Sequence, residues 1–582
     1  MRRWLLLLVV VGCTPDKVPP CMEGTARDQA GQCLPVATTG DEPVDSADPV
    51  PEDTGAPSPV MPSTTDLSTP RLLRRVSLDL LGVLPMAADL DTVEADPEAL
   101  AGIIDSYLED PRLEARLVAI LGEIWHTQVD AFLLEYLEYP VLRMDPQNEF
   151  PFERSAGDEP LRLMAYVGAR DLAWTEILTA DYTMANEVTT AIWPIELEEG
   201  AGDWTKGRYT DGRPAAGVLA TNGLWLRYYS AGTNRNRGRA AAISRLLICE
   251  DFLARPVSFS DFPSLADVDG TDRAIKEDPY CMGCHSAIDP IAAALFGFWA
   301  ADIHNGTETG IYHLEREHLG EEILEVEAHW FGTPVSGLAA LSRQIAQDSR
   351  FRSCAAQTMA RGLWRREVDL ADFGTILALR KDFETGELRL RPLIKAVLQT
   401  PAYRAGSLTA EASEADGERE HVARLLMPGQ LHTAVEDLTG FSWWHEGFDQ
   451  MANDTYGYRI MAGGVNGYHV TRPQVDPSVT HALVVQRLAE AGADTVVTHD
   501  LTEGSEDPRL FGELQLDHRP GDVVFDHTLE TLYWRLLARR PSAEDTTALA
   551  ALWSAAEAAS EPATAWTAVL SALLRDPEFV SY

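Results

Sequence analysis

The sequence predicts a mainly α-helical, multi-domain assembly, and three observations carry that expectation. Apolar residues recur at helical spacing: Leu100, Ile103, Ile104, Tyr107 and Leu108, then Leu113, Leu117, Ile120, Leu121 and Ile124. A punctuation recurs between such stretches, as Y-L-E-D-P-R-L at 107–113, V-L-Q-T-P-A-Y at 397–403 and L-L-R-D-P-E-F at 573–579. Each is an apolar helix face, a polar stop, a proline able to open the next turn, and an apolar anchor. Alternating strand patterns are few, A-D-T-V-V-T-H at 493–499 being the best of them.

The 582 residues make room for about four compact units at roughly 100–200 residues per domain. A formal net charge of −42 argues against nucleic-acid binding, which needs clustered Lys and Arg. It equally argues against docking on an anionic lipid surface by charge alone.

Residues 1–12 read as the signal peptide of an exported bacterial lipoprotein. Arg2 and Arg3 precede the apolar run Trp4 to Val11, too short to span a bilayer and of signal-peptide length. The run ends V-V-G-C, which resembles a lipobox, so Cys13 is the expected lipidated residue. An ordinary signal peptide with a nearby cysteine is the alternative. The expected address is the periplasmic or outer-surface face of the cell envelope, with the membrane reached through the lipid anchor.

Residues 13–66 read as a disordered, acidic, Pro-rich tether; eleven of the 35 prolines fall between Pro15 and Pro70. Within it, Cys21 and Cys33 bracket a turn-rich stretch suited to a small disulfide-closed loop. Helical modules are expected at 67–150, 151–240 (preceding the motif segment), 241–320 (containing it), 321–404 (closing it) and 421–582. The polar stretch 405–420 reads as a linker, and a second acidic break falls near 500–508. R-L-L-R-R-V-S-L-D-L-L-G at 71–82 echoes R-L-L-M-P-G-Q-L-H-T-A-V-E-D-L-T-G at 424–440. The irregular spacing suggests recurring subunits rather than a solenoid.

One constellation carries chemistry. Residues 281–285 read C-M-G-C-H, the attachment pattern of c-type haem. Two thiols, Cys281 and Cys284, form thioethers to the vinyl groups, and His285 binds iron axially. From the chain's 7 Cys and 14 His, chance supplies about 0.002 such runs. A disulfide, a thioredoxin-like redox pair and half of a zinc site are the alternatives. Zinc lacks a second C-x-x-C, and the redox pair lacks its preceding strand.

The stretch C-M-G-C-H-S-A-I-D-P-I at 281–291 resembles the haem segment of the planctomycete-type cytochrome-like proteins, exported multi-domain chains of undefined function. Their segment runs C-x-x-C-H-x-x-I-D-P-L-G-F-A-L-E. L-T-A-D-Y-T-M-A-N-E at 178–187, A-A-G-V-L-A-T-N-G at 215–223 and R-L-L-I-C-E-D-F-L at 245–253 are similar to the family's preceding segments. F-R-S-C-A-A-Q-T-M-A-R-G-L-W-R-R-E at 351–367 and L-I-K-A-V-L-Q-T-P-A-Y-R at 393–404 resemble its closing helices. The family's G-F-A-L-E becomes A-A-A-L-F, Ala292 to Phe296, so its glycine and glutamate are absent. The resemblance implies a small c-type-cytochrome-like haem segment within the helical assembly, with one covalent haem c.

A distal ligand would separate an electron carrier from an open site for oxygen or peroxide chemistry. His304, His313, His318, His329 and Met359 are the downstream candidates; for Met359 a core role is the simpler reading. Glu315 and His318 make one E-x-x-H, where a di-iron site needs two. Cys249 and Cys354 remain once lipid, tether loop and haem are assigned, an even remainder that suggests a disulfide in an oxidising compartment, buried free thiols being the alternative. H-E-G-F-D at 445–449 lacks a zincin's second histidine. F-S-W-W-H-E-G-F at 441–448 reads as half-buried packing or as a sugar platform.

The expected function is electron transfer to or from a redox partner protein, without catalytic residues of its own. A haem oxidoreductase with an open distal site and a surface polysaccharide-binding protein are the rivals.

Overall fold

The computed structural model describes residues 25–27, 33–35 and 63–582, apart from 201, 231, 256–267, 301–303, 411, 414–416, 418–421, 446–447 and 453–455. The expected leader, Cys13 and Cys21 lie outside the described residues, as does the side chain of Cys33. The chain divides into two units, Met1–Met61 and Pro62–Tyr582. In the first, Thr25–Arg27 pairs antiparallel with Cys33–Pro35, Arg27 opposite Cys33.

The second unit is mainly helical, as the periodicity predicts. In the Arg112–Trp125 helix Leu113, Leu117, Ile120, Leu121 and Ile124 are all buried, one stripe turned to the core. The recurring punctuation has a physical basis in the caps. Asp110 accepts from the Arg112 N–H at 2.8 Å, Thr400 from Tyr403 at 3.3 Å, and Asp576 from Glu578 at 2.8 Å. Each polar residue satisfies an orphan amide, and the proline after it occupies a position whose N–H has no intrahelical partner.

Two expectations are corrected. The 493–499 stretch is not a strand: Val479–Val497 is one helix, continued by a π-helical turn at Thr498–Thr502. Val484, Val485, Leu488, Ala489, Ala493, Val496 and Val497 form a buried helical stripe, and this packing overrides the β preference of the Thr-Val-Val run. The linker expected at 405–420 does not begin at 405. Ala405–Leu408 is a strand pairing antiparallel with Thr64–Asp66, and Ala405 is fully buried. The partner strand lies some 340 residues away, beyond any local pattern.

Two large apolar cores follow. One is built mainly from Leu72 to Tyr403, joined by Trp534 and Ala538, and holds the helices Arg112–Trp125, Glu149–Ala169, Arg237–Ile248, Pro279–Ala293 and Ser349–Trp364. The other is built mainly from 426–582, around Val479–Val497 and Pro562–Leu574. A smaller cluster packs Phe132, Tyr139, Phe152 and Trp193. A three-stranded antiparallel sheet, with Thr205–Tyr209 between Thr183–Ala185 and Ile195–Leu197, sits beside the first core.

The Thr69–Leu80 helix stitches the two large cores together. Leu72, Leu73 and Val76 enter the first while Leu78 enters the second, so every residue from Leu72 to Leu80 is buried. Its polar residues bond across the seam. Arg74 donates to the Leu536, Phe579 and Ser581 carbonyls, and Arg75 to those of Tyr403, Ala405 and Val422. Asp79 accepts from the Tyr403 hydroxyl at 2.9 Å and the Tyr582 hydroxyl at 2.5 Å. Burial pushes Arg74 down to about 10, and burial with the nearby Arg424 charge pushes Arg75 down to about 9.

Candidate functional site

The C-M-G-C-H motif occupies the first turns of the Pro279–Ala293 helix. Asp278 caps that helix, accepting from the Tyr280 N–H at 2.8 Å, and Pro279 opens it. At about 100° per residue, positions 281, 284 and 285 fall on one face. Cys281, Cys284 and His285 are half-buried, and both thiols are free. Farther along, Ile288, Ile291 and Ala292 anchor the helix in the first core, where it packs against Arg237–Ile248.

The imidazole of His285 is held from behind. Its Nδ1 lies 2.8 Å from Asp289 Oδ1, one helical turn on. Asp289 is buried and also receives a two-pronged contact from Arg237, Nε and Nη2 each at 2.8 Å from a separate carboxylate oxygen. Burial would raise the Asp289 carboxyl, but hydrogen bonds from His285 and Arg237 outweigh it and hold the group below the ordinary carboxylate range. An ionised Asp289 accepts the Nδ1–H hydrogen bond of His285 and so orients the imidazole. Among the described residues Nε2 has no hydrogen-bond partner. A metal-ligating histidine is commonly held in this way.

The Cys281 thiol differs from that of a redox-active pair in one respect. Burial, then the Asp278 charge, raises the Cys281 thiol, the reverse of the lowered thiol in a redox-active C-x-x-C pair. Among the described residues no group of three or more His, Cys, Asp or Glu is placed to hold a metal ion. Two unbridged thiols one turn apart, beside a histidine whose Nε2 is free, fit a covalently attached haem. Exposed apolar side chains adjoin Cys281 in the chain at Tyr280 and Met282, and Arg255 donates to the Gly283 carbonyl at 3.3 Å.

Cys249 and Cys354 form a disulfide, as their even remainder suggests, with a Cα separation of 5.2 Å. It ties the end of Arg237–Ile248 to the Ser349–Trp364 helix and closes a loop containing the whole motif helix. Such bonds persist in oxidising compartments. No helix among the described residues is long and apolar enough to cross a membrane.

The distal candidates scatter in role. Met359 is 2% exposed within the first core, a packing residue. His313 has both ring nitrogens engaged, with Glu315 and the Glu308 carbonyl at 3.1 Å each. His329 Nδ1 accepts from the Gly332 N–H, while His304 and His318 are exposed. In the aromatic stretch, Trp443 packs 4.6 Å from Tyr458 against the second core, whereas Trp444 is 61% exposed. His432 and Asp449 pair at 3.2 Å. Comparison with protein-family models, with curated proteins and with solved structures finds no match.

Sequence reasoning missed Asp289 and Arg237. For Asp289 the signal was present, since His285 and Asp289 stand at i,i+4 on a helix. Replacing Asp289 with Asn is expected to cost about 1–3 kcal/mol through loss of its charged hydrogen bonds. A lowered carboxyl contributes stability that is complete above its unfolded value, about pH 4, and is lost as pH falls through the folded value. Urea titrations at neutral and acid pH should therefore show the variant's deficit shrinking on acidification. A deficit that grows toward acid refutes the assignment.

Proposed function

We propose that this chain is an exported, lipid-anchored electron-transfer protein of the c-type cytochrome kind, related to the planctomycete-type cytochrome-like proteins that its motif segment resembles. Cys281 and Cys284 would hold one haem through thioether bonds, with His285 Nε2 as axial ligand. Bound there, the haem would supply a one-electron redox centre.

The observation that carries this reading is the Arg237–Asp289–His285 chain behind a free Nε2, set beside two unbridged thiols. Arg237 keeps Asp289 ionised, Asp289 fixes the tautomer and orientation of His285, and the hydrogen bond makes Nε2 a stronger donor to a metal. The Cys249–Cys354 bridge removes the neighbouring thiols from competition, so Cys281 and Cys284 are the free thiols among the described residues. Cys13 supplies the anchor. The function would require a partner redox protein, since one centre only relays electrons.

The test is to produce the chain with the c-haem maturation machinery and to measure covalent haem on denaturing gels and the reduced absorption spectrum. Wild type is expected to carry covalent haem, and a Cys281→Ala/Cys284→Ala variant none. Asp289→Asn should keep the haem while shifting its reduction potential. A correctly folded wild-type chain without covalent haem overturns the proposal. Carbon monoxide binding to the reduced protein would favour the oxidoreductase reading over electron transfer.

A further inference from the structure

Away from the motif helix, a cavity of about 480 Å³ opens where four stretches of chain meet. His126 enters from the end of Arg112–Trp125, Arg245 from Arg237–Ile248, Arg361 from Ser349–Trp364, and Arg472 from the chain after Pro428–Thr439 and before Val479–Val497. A neighbouring cavity of about 370 Å³ shares Ile124, Arg361, Glu367 and Arg472 with it, so the two make one cleft. Such volumes suit a small organic ligand.

The cleft's charge is out of character with the chain, whose net charge is −42. Arg472 is exposed and has no hydrogen-bond or ion-pair partner among the described residues. Arg245 donates to the Tyr228 hydroxyl at 2.8 Å, and Arg227, behind His126, donates to the His126 and Gly467 carbonyls. Of the cleft's carboxylates, Glu367 pairs with Arg361 at 2.8 Å, while Asp251 accepts from the Leu253 N–H at 2.9 Å and Asp369 from the Ala371 N–H at 2.7 Å. A deeper pair, Arg365 with Glu123, is closed on itself.

We infer that this arginine-lined cleft binds a small multivalent anion bearing carboxylate or phosphate groups, with Arg245, Arg361 and Arg472 as its ligands. Guanidinium groups match both anion types with paired N–H donors. The electrostatics agree with the geometry. Burial, then the Arg245, Arg227 and Arg361 charges, pushes His126 down to about 4. Burial, with Arg472 and Arg245, also lowers Arg361 despite its pairing with Glu367. Like charges held together at this cost are relieved when an anion enters. The cleft uses none of Cys281, Cys284 or His285, so the inference stands apart from the haem reading.

Calorimetric titration of the full chain at low ionic strength, with citrate in one arm and pyrophosphate in the other, tests it. Saturable one-site binding is expected for at least one probe, and the stronger arm assigns carboxylate or phosphate. Arg472→Gln, whose exposed and unpartnered side chain makes folding safe, should weaken binding by about tenfold or more, and Arg245→Gln similarly. Arg519→Gln, outside the cleft, should leave it unchanged. Absence of saturable binding by both probes overturns the inference. So does binding that Arg472→Gln leaves intact.

Discussion

Replacing Asp79 with alanine lowers the unfolding free energy by about 3–5 kcal/mol, the scale seen when one member of a buried charge network is removed. Asp79 is 2% exposed, and its two oxygens hold the hydroxyls of Tyr403 and Tyr582. Its backbone carbonyl accepts from Arg116, whose Nη2 reaches the Met427 sulfur at 3.3 Å. Arg75 and Arg424 are both wholly buried nearby, each feeling the Asp79 charge. Without that carboxylate several buried guanidiniums lose their counter-charge at once, and two tyrosine hydroxyls lose their acceptor. Asp79→Asn keeps the shape and removes the charge, so its loss should be smaller, about 1–3 kcal/mol. Glu94→Ala, at an exposed pair with Arg540, should cost less than about 1 kcal/mol and serves as the control. Chemical unfolding followed by far-UV circular dichroism reads all three. A result for Asp79→Ala within about 1 kcal/mol of wild type would sink the claim that this network joins the two cores.

The same network shows where sequence reading ends. Stripes such as Leu113, Leu117 and Ile120 are legible because their partners lie on the same helix face at fixed spacing. Nothing in R-L-L-R-R-V-S-L-D-L-L-G marks its polar residues for burial, yet Arg74, Arg75 and Asp79 are buried. Their partners, Tyr403, Ala405, Val422, Phe579 and Tyr582, lie more than 300 residues onward, and no local pattern encodes that meeting. The echo between 71–82 and 424–440 is nonetheless a trace of it. Thr64–Asp66 pairs with the chain at 405–408, just past the Pro401–Arg404 turn, and Leu425 bridges Ser581, just past the Pro577–Val580 turn. Each core is thus closed by pairing its start with its end. At the motif, Cys281, Cys284 and His285 are legible because their spacing is local. Arg237 is not, because it arrives from another helix.

Removing the Cys249–Cys354 bridge by a double serine substitution is expected to cost about 2–5 kcal/mol. The bonded residues are 105 apart, and in the chain-entropy picture a loop of that length constrains the unfolded ensemble by an amount near the upper end of that range. The native state adds a second term, since Cys354 is buried and serine in its place brings a hydroxyl in need of a partner. Both terms act on the segment that carries the C-M-G-C-H motif. The Pro279–Ala293 helix lies inside the closed loop and rests on Arg237–Ile248, whose end the bridge fixes and whose first residue, Arg237, clamps Asp289. Loosening that helix lets the Arg237–Asp289–His285 chain fluctuate, so the double variant should lose protection from proteolysis within 249–354 before it loses it elsewhere. Thermal unfolding of wild type with and without reductant should reproduce the same drop without mutation. Equal stability of oxidised, reduced and doubly substituted chains would mean that packing of the motif helix suffices on its own, and that the bridge guards the cysteines from mispairing rather than the fold from opening.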